Sequence, residues 1–394
     1  MYEELKQKFA RTFSRPARFI FSAPGRTEIG GNHTDHQLGC VLAGAVSVDT
    51  LAAVDLNSDG VIRVLSEGYP LCEIALDEPE IREDEKGTTA ALIRGVAARI
   101  ASRPRAIQGF DAYVTSRVLP GSGLSSSAAF EVLIGTIINE LSGCGLNAVE
   151  IAQIGQYAEN VYFGKPCGLM DQMASSVGGI VTIDFADRDK PVVEPLAFDF
   201  SSCGHALCIV NSGADHADLT DEYAAIPREL KKVCAVFGKD VLREVDEAEF
   251  YSRLPEVRKS AGDRAVMRAM HVYDDNRRVQ QEVEALKAND FARFLELVNE
   301  SGRSSWLYLQ NVVPTGNTAH QELALTLALA AKLLGGRGAC RVHGGGFAGT
   351  IQAFVPLDLL ESFRTGMDAV LGAGACQVLS IRPEGGVLLE EDKT

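Results

Sequence analysis

From Phe130 onward, apolar residues fall at 130, 133, 134, 137, 138 and 141, the spacing of a helix that buries one face. A second helical stretch is expected over 147–163, where Asn147 and Glu150 have the identities and spacing of a capping box. Ahead of these, residues 17–23, 41–56, 61–66 and 110–119 are rich in β-branched and aromatic side chains and read as strands, as does 178–185. The second half opens a new core at 207–211 and is richer in helix, at 222–237, 277–299 and 320–334. Strands at 339–343, 350–355 and 377–381 follow. Helices mixed with antiparallel-type strands in both halves predict an α+β fold. No internal repeat or low-complexity segment stands out.

Composition narrows the class. At 394 residues the chain exceeds one comfortable core, so two domains are expected. The polar stretch 186–194 sets their boundary, giving units of 1–195 and 196–394. A balance of 38 basic against 53 acidic residues excludes nucleic acid and anionic membrane as partners. Nine irregularly spaced cysteines without a C-x-x-C pair predict reduced thiols in a cytoplasmic protein. The polar start Met1–Lys6 is unlike a signal peptide, and no apolar run reaches membrane-spanning length.

Four clusters carry candidate chemistry. The segment Pro120-Gly121-Ser122-Gly123-Leu124-Ser125-Ser126-Ser127 delivers serines to the start of the Phe130 helix, where free N–H groups and the dipole favour an anion. An ordinary serine N-cap explains the same residues. Pro24 to His36 has the composition of a pocket or of a polar loop. Its His33, Asp35 and His36 suggest metal ligands, but the other five histidines are scattered. Asp171, between Met170 and Met173, is costly to bury unless it is paired, functional or a helix cap. His343 to Gly349 contains a literal G-x-G-x-x-G, yet a strand rather than a helix follows, so a hairpin is expected and a dinucleotide site is not. No P-loop motif occurs, and the H-R-D and D-F-G elements of protein kinases are absent.

Together these clusters resemble the GHMP family of small-molecule kinases, and within it the galactokinase branch. The resemblance rests on Pro24 to Asp35, Gly123 to Ala128, Cys167 to Gln172 and Gly344 to Gly349, in that order across nearly the whole chain. Asn211, Ser212, His216, Glu222 and Tyr223 add the branch's tyrosine-bearing segment. The resemblance implies a ribosomal protein S5 domain 2-like N-terminal domain, a ferredoxin-like C-terminal domain and an active site in the cleft between them. It implies Asp171 as the catalytic aspartate acting on a sugar C1 hydroxyl, with Arg26 stabilising that carboxylate and the phosphoryl group. Gly121, Ser122, Gly123, Leu124, Ser125, Ser126 and Ser127 would hold ATP, joined by Ser66, and Ser127 and Glu159 would ligate Mg²⁺. Asn32, His33, Thr34, Asp35, Gly168, Tyr223, Gly345 and Gly346 would bind the sugar. A monomer is expected.

Departures bear on the substrate. Galactokinases usually read Gly-Arg-Val-Asn-Leu-Ile-Gly-Glu-His-Thr-Asp-Tyr, whereas here Glu28 stands for the asparagine and Asn32 for the glutamate. His343, Gly345 and Ala348 replace Thr, Ala and Gly of the late loop. The expected reaction is transfer of the ATP γ-phosphate to the anomeric hydroxyl of galactose. Galacturonate is the alternative acceptor, because an amide at Asn32 would tolerate a C6 carboxylate. A sugar sensor without turnover is a further alternative, disfavoured by the intact serine loop.

Overall fold

The computed structural model describes residues 2–103, 106–118, 121–187, 189–214 and 219–392. Leu119, Pro120, Arg188 and His216 lie outside them. An eight-stranded sheet runs β12-β1-β2-β5-β3-β4, with β6 beside β2 and β7 beside β6. Its strands are β1 (Phe19–Gly30), β2 (Cys40–Leu56), β3 (Val61–Ser66), β4 (Cys72–Ala75), β5 (Phe110–Ser116), β6 (Ile180–Asp184), β7 (Val192–Leu196) and β12 (Val387–Glu391). The second sheet is four-stranded and antiparallel, in the order β11-β8-β10-β9. It comprises β8 (His205–Asn211), β9 (Ala339–His343), β10 (Thr350–Pro356) and β11 (Cys376–Leu379).

Alternation sets the layers. Phe19, Phe21 and Ala23 of β1 face the helices Thr89–Ala101, Ser126–Ser142 and Ala148–Tyr157, while Ile20 faces Leu5 and Phe9 of the helix Tyr2–Phe13. The Ser126 helix is buried nearly all round, with Ala128, Val132 and Thr136 enclosed along with the expected Leu133, Ile134, Ile137 and Ile138. In β8, Cys208 and Val210 pack under the helices Glu322–Leu334 and Leu360–Leu371, and Leu207 faces the other way. That other face meets the first sheet in one core, where Ile29 and Leu42 join Phe200, Phe294 and Phe354. The rings of Phe200 and Phe294 lie 5.0 and 5.1 Å from that of Phe354.

Strands β6 and β7 pair antiparallel within the first sheet, and β12 returns from the second half to pair with β1. One expected helix is revised. The helix expected over 277–299 is two, Asp263–Lys287 and Phe291–Ser304. Asn289 takes a left-handed conformation (φ 56°) and Asp290 caps the second helix by accepting from Arg293 N. The capping box of Asn147 and Glu150 forms as read, but the helix opens into a π turn at Ala158–Phe163. Among the described residues no disulfide joins any of the nine cysteines. Among the described residues, no helix is long and apolar enough to cross a membrane.

A charged layer lies between the sheets. Arg341 of β9, fully enclosed, ion-pairs with Glu28 and donates to the Ile29 carbonyl at 2.8 Å. Glu282 of the Asp263 helix is equally enclosed against Gly30, and neither of its carboxyl oxygens has a hydrogen-bond partner. Burial pushes its carboxyl up to about 8, against the pull of Arg341.

Two outcomes are expected. Phe354→Ala should cost about 3–5 kcal/mol, read as a lower urea midpoint. Because the core is shared, Trp306 fluorescence and far-ultraviolet circular dichroism should shift together. An unfolded glutamate ionises near its ordinary value, whereas folded Glu282 holds its proton to about pH 8. Its contribution is therefore present at low pH and lost as pH rises through that value. Glu282→Gln should flatten the fall in melting temperature across this range, and curves parallel to the wild type would refute the assignment.

Candidate active site

The first element is a bulged strand. The β1–β2 register shifts between Pro24 and Arg26 and again between Glu28 and Gly30, which re-aims both charged side chains. Arg26 grips Asp171 with two parallel bonds, Nε to Oδ1 at 2.6 Å and Nη2 to Oδ2 at 2.8 Å. Its remaining nitrogen donates to the Gly123 carbonyl. Asp171 is the second residue of the helix Met170–Val177, an electropositive position. Burial opposes its ionisation, but the charge and hydrogen bonds of Arg26, with the Ser125 hydroxyl and Lys165, outweigh it and hold the carboxyl below its usual value. Its side chain remains 30% exposed, so this ionised group faces outward. The carboxylate pairs with Arg26 and Ser125 rather than capping its helix.

The serine loop is fastened to this pair. Leu124 O accepts from Arg26 N at 3.0 Å, and the Ser125 hydroxyl donates to Asp171 Oδ2. Gly123 has a positive φ, and a Cβ there would lie 2.1 Å from Thr350 Oγ1 of β10, so only glycine fits. Ser125 is itself left-handed (φ 62°), a conformation that costs a non-glycine residue on the order of 1 kcal/mol or more. Turned toward Asp171, it makes no side-chain cap, so the ordinary serine N-cap does not form. Ser126 and Ser127 open the helix. Ser66 ends β3 opposite Val114 at the loop end of the sheet, with β2 and β5 between it and β1.

Beside the loop lies an acidic group. Glu159, in the π turn, accepts at Oε1 from Ser127 Oγ (3.1 Å) and Lys165 Nζ (3.2 Å). Its Oε2 accepts from Gln172 Nε2, whose second hydrogen goes to Glu131 Oε2, both at 2.9 Å. Burial and then the Glu159 charge push the Glu131 carboxyl well above its usual value. Among the described residues no three His, Cys, Asp or Glu side chains gather as metal ligands. The Ser127–Glu159 pair suits a hard cation that takes its other ligands from phosphate and water, as Mg²⁺ does.

The turn after β1 meets the late glycine hairpin, which forms as expected with His343 opposite Thr350. His33 Nε2 bonds the Gly345 carbonyl at 3.0 Å, and the Tyr223 hydroxyl donates to the Gly346 carbonyl at 2.7 Å. A Cβ on Gly345 would sit 2.6 Å from the Tyr223 ring. Thr34 braces the turn through the Gly31 and Cys40 carbonyls. Asp35 abuts Gly168, where a Cβ would lie 1.9 Å from Oδ2, and the two line a polar cavity of about 300 Å³ with Gln156 and Asn160.

Asn32 is fully enclosed and engaged on both sides of its amide. Nδ2 donates to Glu28 Oε1 (2.9 Å) and Gly344 O (2.7 Å), while Oδ1 accepts from Asn311 Nδ2 (2.8 Å) and Ser305 Oγ (3.3 Å). His343 accepts from Glu28 N at Nε2 (3.1 Å), so its other nitrogen carries the proton toward Thr350 Oγ1. Burial, then Arg26 and Arg341, depress its pKa, leaving it a neutral buried brace. Sequence reasoning did not single out Glu131, Gln172 or Lys165. The one available signal was Glu131 as a lone acid within the apolar run 128–138.

The chain is similar to known proteins along most of its length. Residues 91–179 match the GHMP kinases N terminal domain, and residues 7–56 match the galactokinase galactose-binding signature. A galactokinase of Glaesserella parasuis serovar 5 is 34% identical over 367 residues, covering 92% of this chain and 91% of that protein. Another, from Actinobacillus pleuropneumoniae, is 34% identical over 366 residues, covering 91% and 90%. The Lactococcus lactis galactokinase solved with galactose superposes with a TM-score of 0.83 at 25% identity, covering 98% of this chain and all of that one. With so much of its length matched, the chain belongs to the galactokinase family of GHMP kinases.

Proposed function

We propose that the protein is an ATP-dependent galactokinase that transfers the γ-phosphoryl group to the anomeric hydroxyl of galactose. One observation carries the reading: Arg26, Gly123, Ser125 and Asp171, from three distant segments, converge on a single ionised carboxylate that faces outward. In this reading the carboxylate orients the C1 hydroxyl and takes its proton as the new O–P bond forms and ADP leaves. Arg26 keeps it ionised and offsets charge on the phosphoryl group. Gly121 to Ser127 present backbone N–H groups to the phosphates, as the positive φ of Gly121 and Gly123 allows, and Ser66 borders the nucleotide. Ser127 and Glu159 would hold Mg²⁺, which neutralises phosphate charge. His33, Thr34, Asp35, Gly168, Tyr223, Gly345 and Gly346 shape the sugar pocket.

We assign this site to the cleft between an S5 domain 2-like lobe and a ferredoxin-like lobe of a monomer, within units 1–195 and 196–394, the latter lending β12 to the former. For the acceptor, the exchange of Glu28 and Asn32 decides in favour of galactose. The two side chains are hydrogen-bonded, so the carboxylate missing at 32 is present at 28, and the Asn32 amide has no group left to welcome a uronate.

In an ATP-coupled assay, kcat/KM for galactose should exceed that for galacturonate by at least about tenfold, or roughly 1.4 kcal/mol in transition-state binding. A preference for the uronate would overturn the assignment. Asp171→Ala should lower kcat by about 10²–10⁴-fold, with ATP affinity by calorimetry kept within about threefold. A variant with wild-type turnover would remove Asp171 from the chemistry.

A further inference from the structure

Lys165 follows Gly164, which ends the π turn in a left-handed conformation (φ 85°). Its backbone N–H is anchored to the Glu159 carbonyl at 3.1 Å, yet its side chain is 62% exposed. The ammonium is therefore held at its root and free along its stem. Its tip lies 3.2 Å from Glu159 Oε1, the oxygen that Ser127 Oγ also reaches. A cation held by Ser127 and Glu159 would compete with this ammonium for the same oxygen.

Charge balance indicates where the ammonium then goes. Arg26 is tied to Asp171 by two bonds and to the Gly123 carbonyl by a third, so it cannot follow a phosphate. Among the described residues Lys165 has one carboxylate partner within ion-pair distance, Glu159, and would lose it when a divalent cation arrives. A nucleotide brings several anionic oxygens to the same place. A flexible four-carbon stem ending in a point charge suits such a handover better than a rigid guanidinium fork.

We propose that Lys165 is a second phosphate-binding cation of the nucleotide site, released from Glu159 by the divalent ion and transferred to the terminal phosphate of ATP. This rests on the kinase reading above. Calorimetric titration of ATP and of ADP, each with Mg²⁺, into wild type, Lys165→Met and Lys165→Arg tests it. The methionine variant should lose about tenfold in ATP affinity but less than about threefold in ADP affinity, and arginine should restore most of the loss. Equal losses for both nucleotides, no loss, or tighter ATP binding would each overturn the proposal, the last showing Lys165 to be only a competitor of the cation. The melting temperature of the methionine variant should match the wild type, since the side chain is half in solvent. A wild type that binds no ATP removes both readings. One that phosphorylates galactose, alongside a methionine variant with unchanged preference for ATP over ADP, removes only this one.

Discussion

The bidentate pair of Arg26 and Asp171 is the constraint on which the rest of the site depends. Arg26 is enclosed, so losing Asp171 would leave it an uncompensated buried charge, a far larger penalty than the pair's net contribution to stability. The same carboxylate draws Ser125 into a left-handed turn, and the same guanidinium holds the Gly123 carbonyl. The loop conformation is thus a consequence of the ion pair. Once Ser125 is turned away, the N-terminus of its helix has no capping hydroxyl, and its N–H groups stay available for an anion.

Much of this architecture could be read along the chain, and the exceptions share a cause. The strands 61–66 and 339–343 match to the residue, because glycines bracket their alternating patterns. The capping box at Asn147 was legible because it is local. The long helix Asp263–Lys287 was half missed, since its inward stripe includes Arg268, His271, Asp275 and Glu282. Charged residues on such a face mask its helical period, and their burial shows in contacts with a distant turn, where Asp275 accepts from Asn32 N and His271 bonds the Asn32 carbonyl. The strand β12 is short and half exposed, so it carries little pattern of its own.

The site shows the same division. Arg26 and Asp171 could be named from motif resemblance, but Glu131 and Gln172 could not, because they meet Glu159 through a shared amide that joins two helices and the π turn. The departures at Glu28, Asn32 and His343 look independent in sequence. In three dimensions they are one network, in which Asn32 bonds Glu28, the Glu28 backbone bonds His343, and Arg341 neutralises the carboxylate. That network braces the turn leading to His33 and Asp35.

The return of β12 to the edge of β1 has a consequence for how the chain is made. Most of the first sheet is encoded before residue 197, yet the strand that covers β1 comes from residues 387–391. During synthesis, the outer edge of β1 waits unpaired while the whole second sheet is translated, about ten seconds or more at ordinary elongation rates. An open edge is a template for pairing with other chains. The nascent protein therefore passes through a stage in which its arginine-bearing strand presents an open edge, and that edge closes only after residues 387–391 have been made.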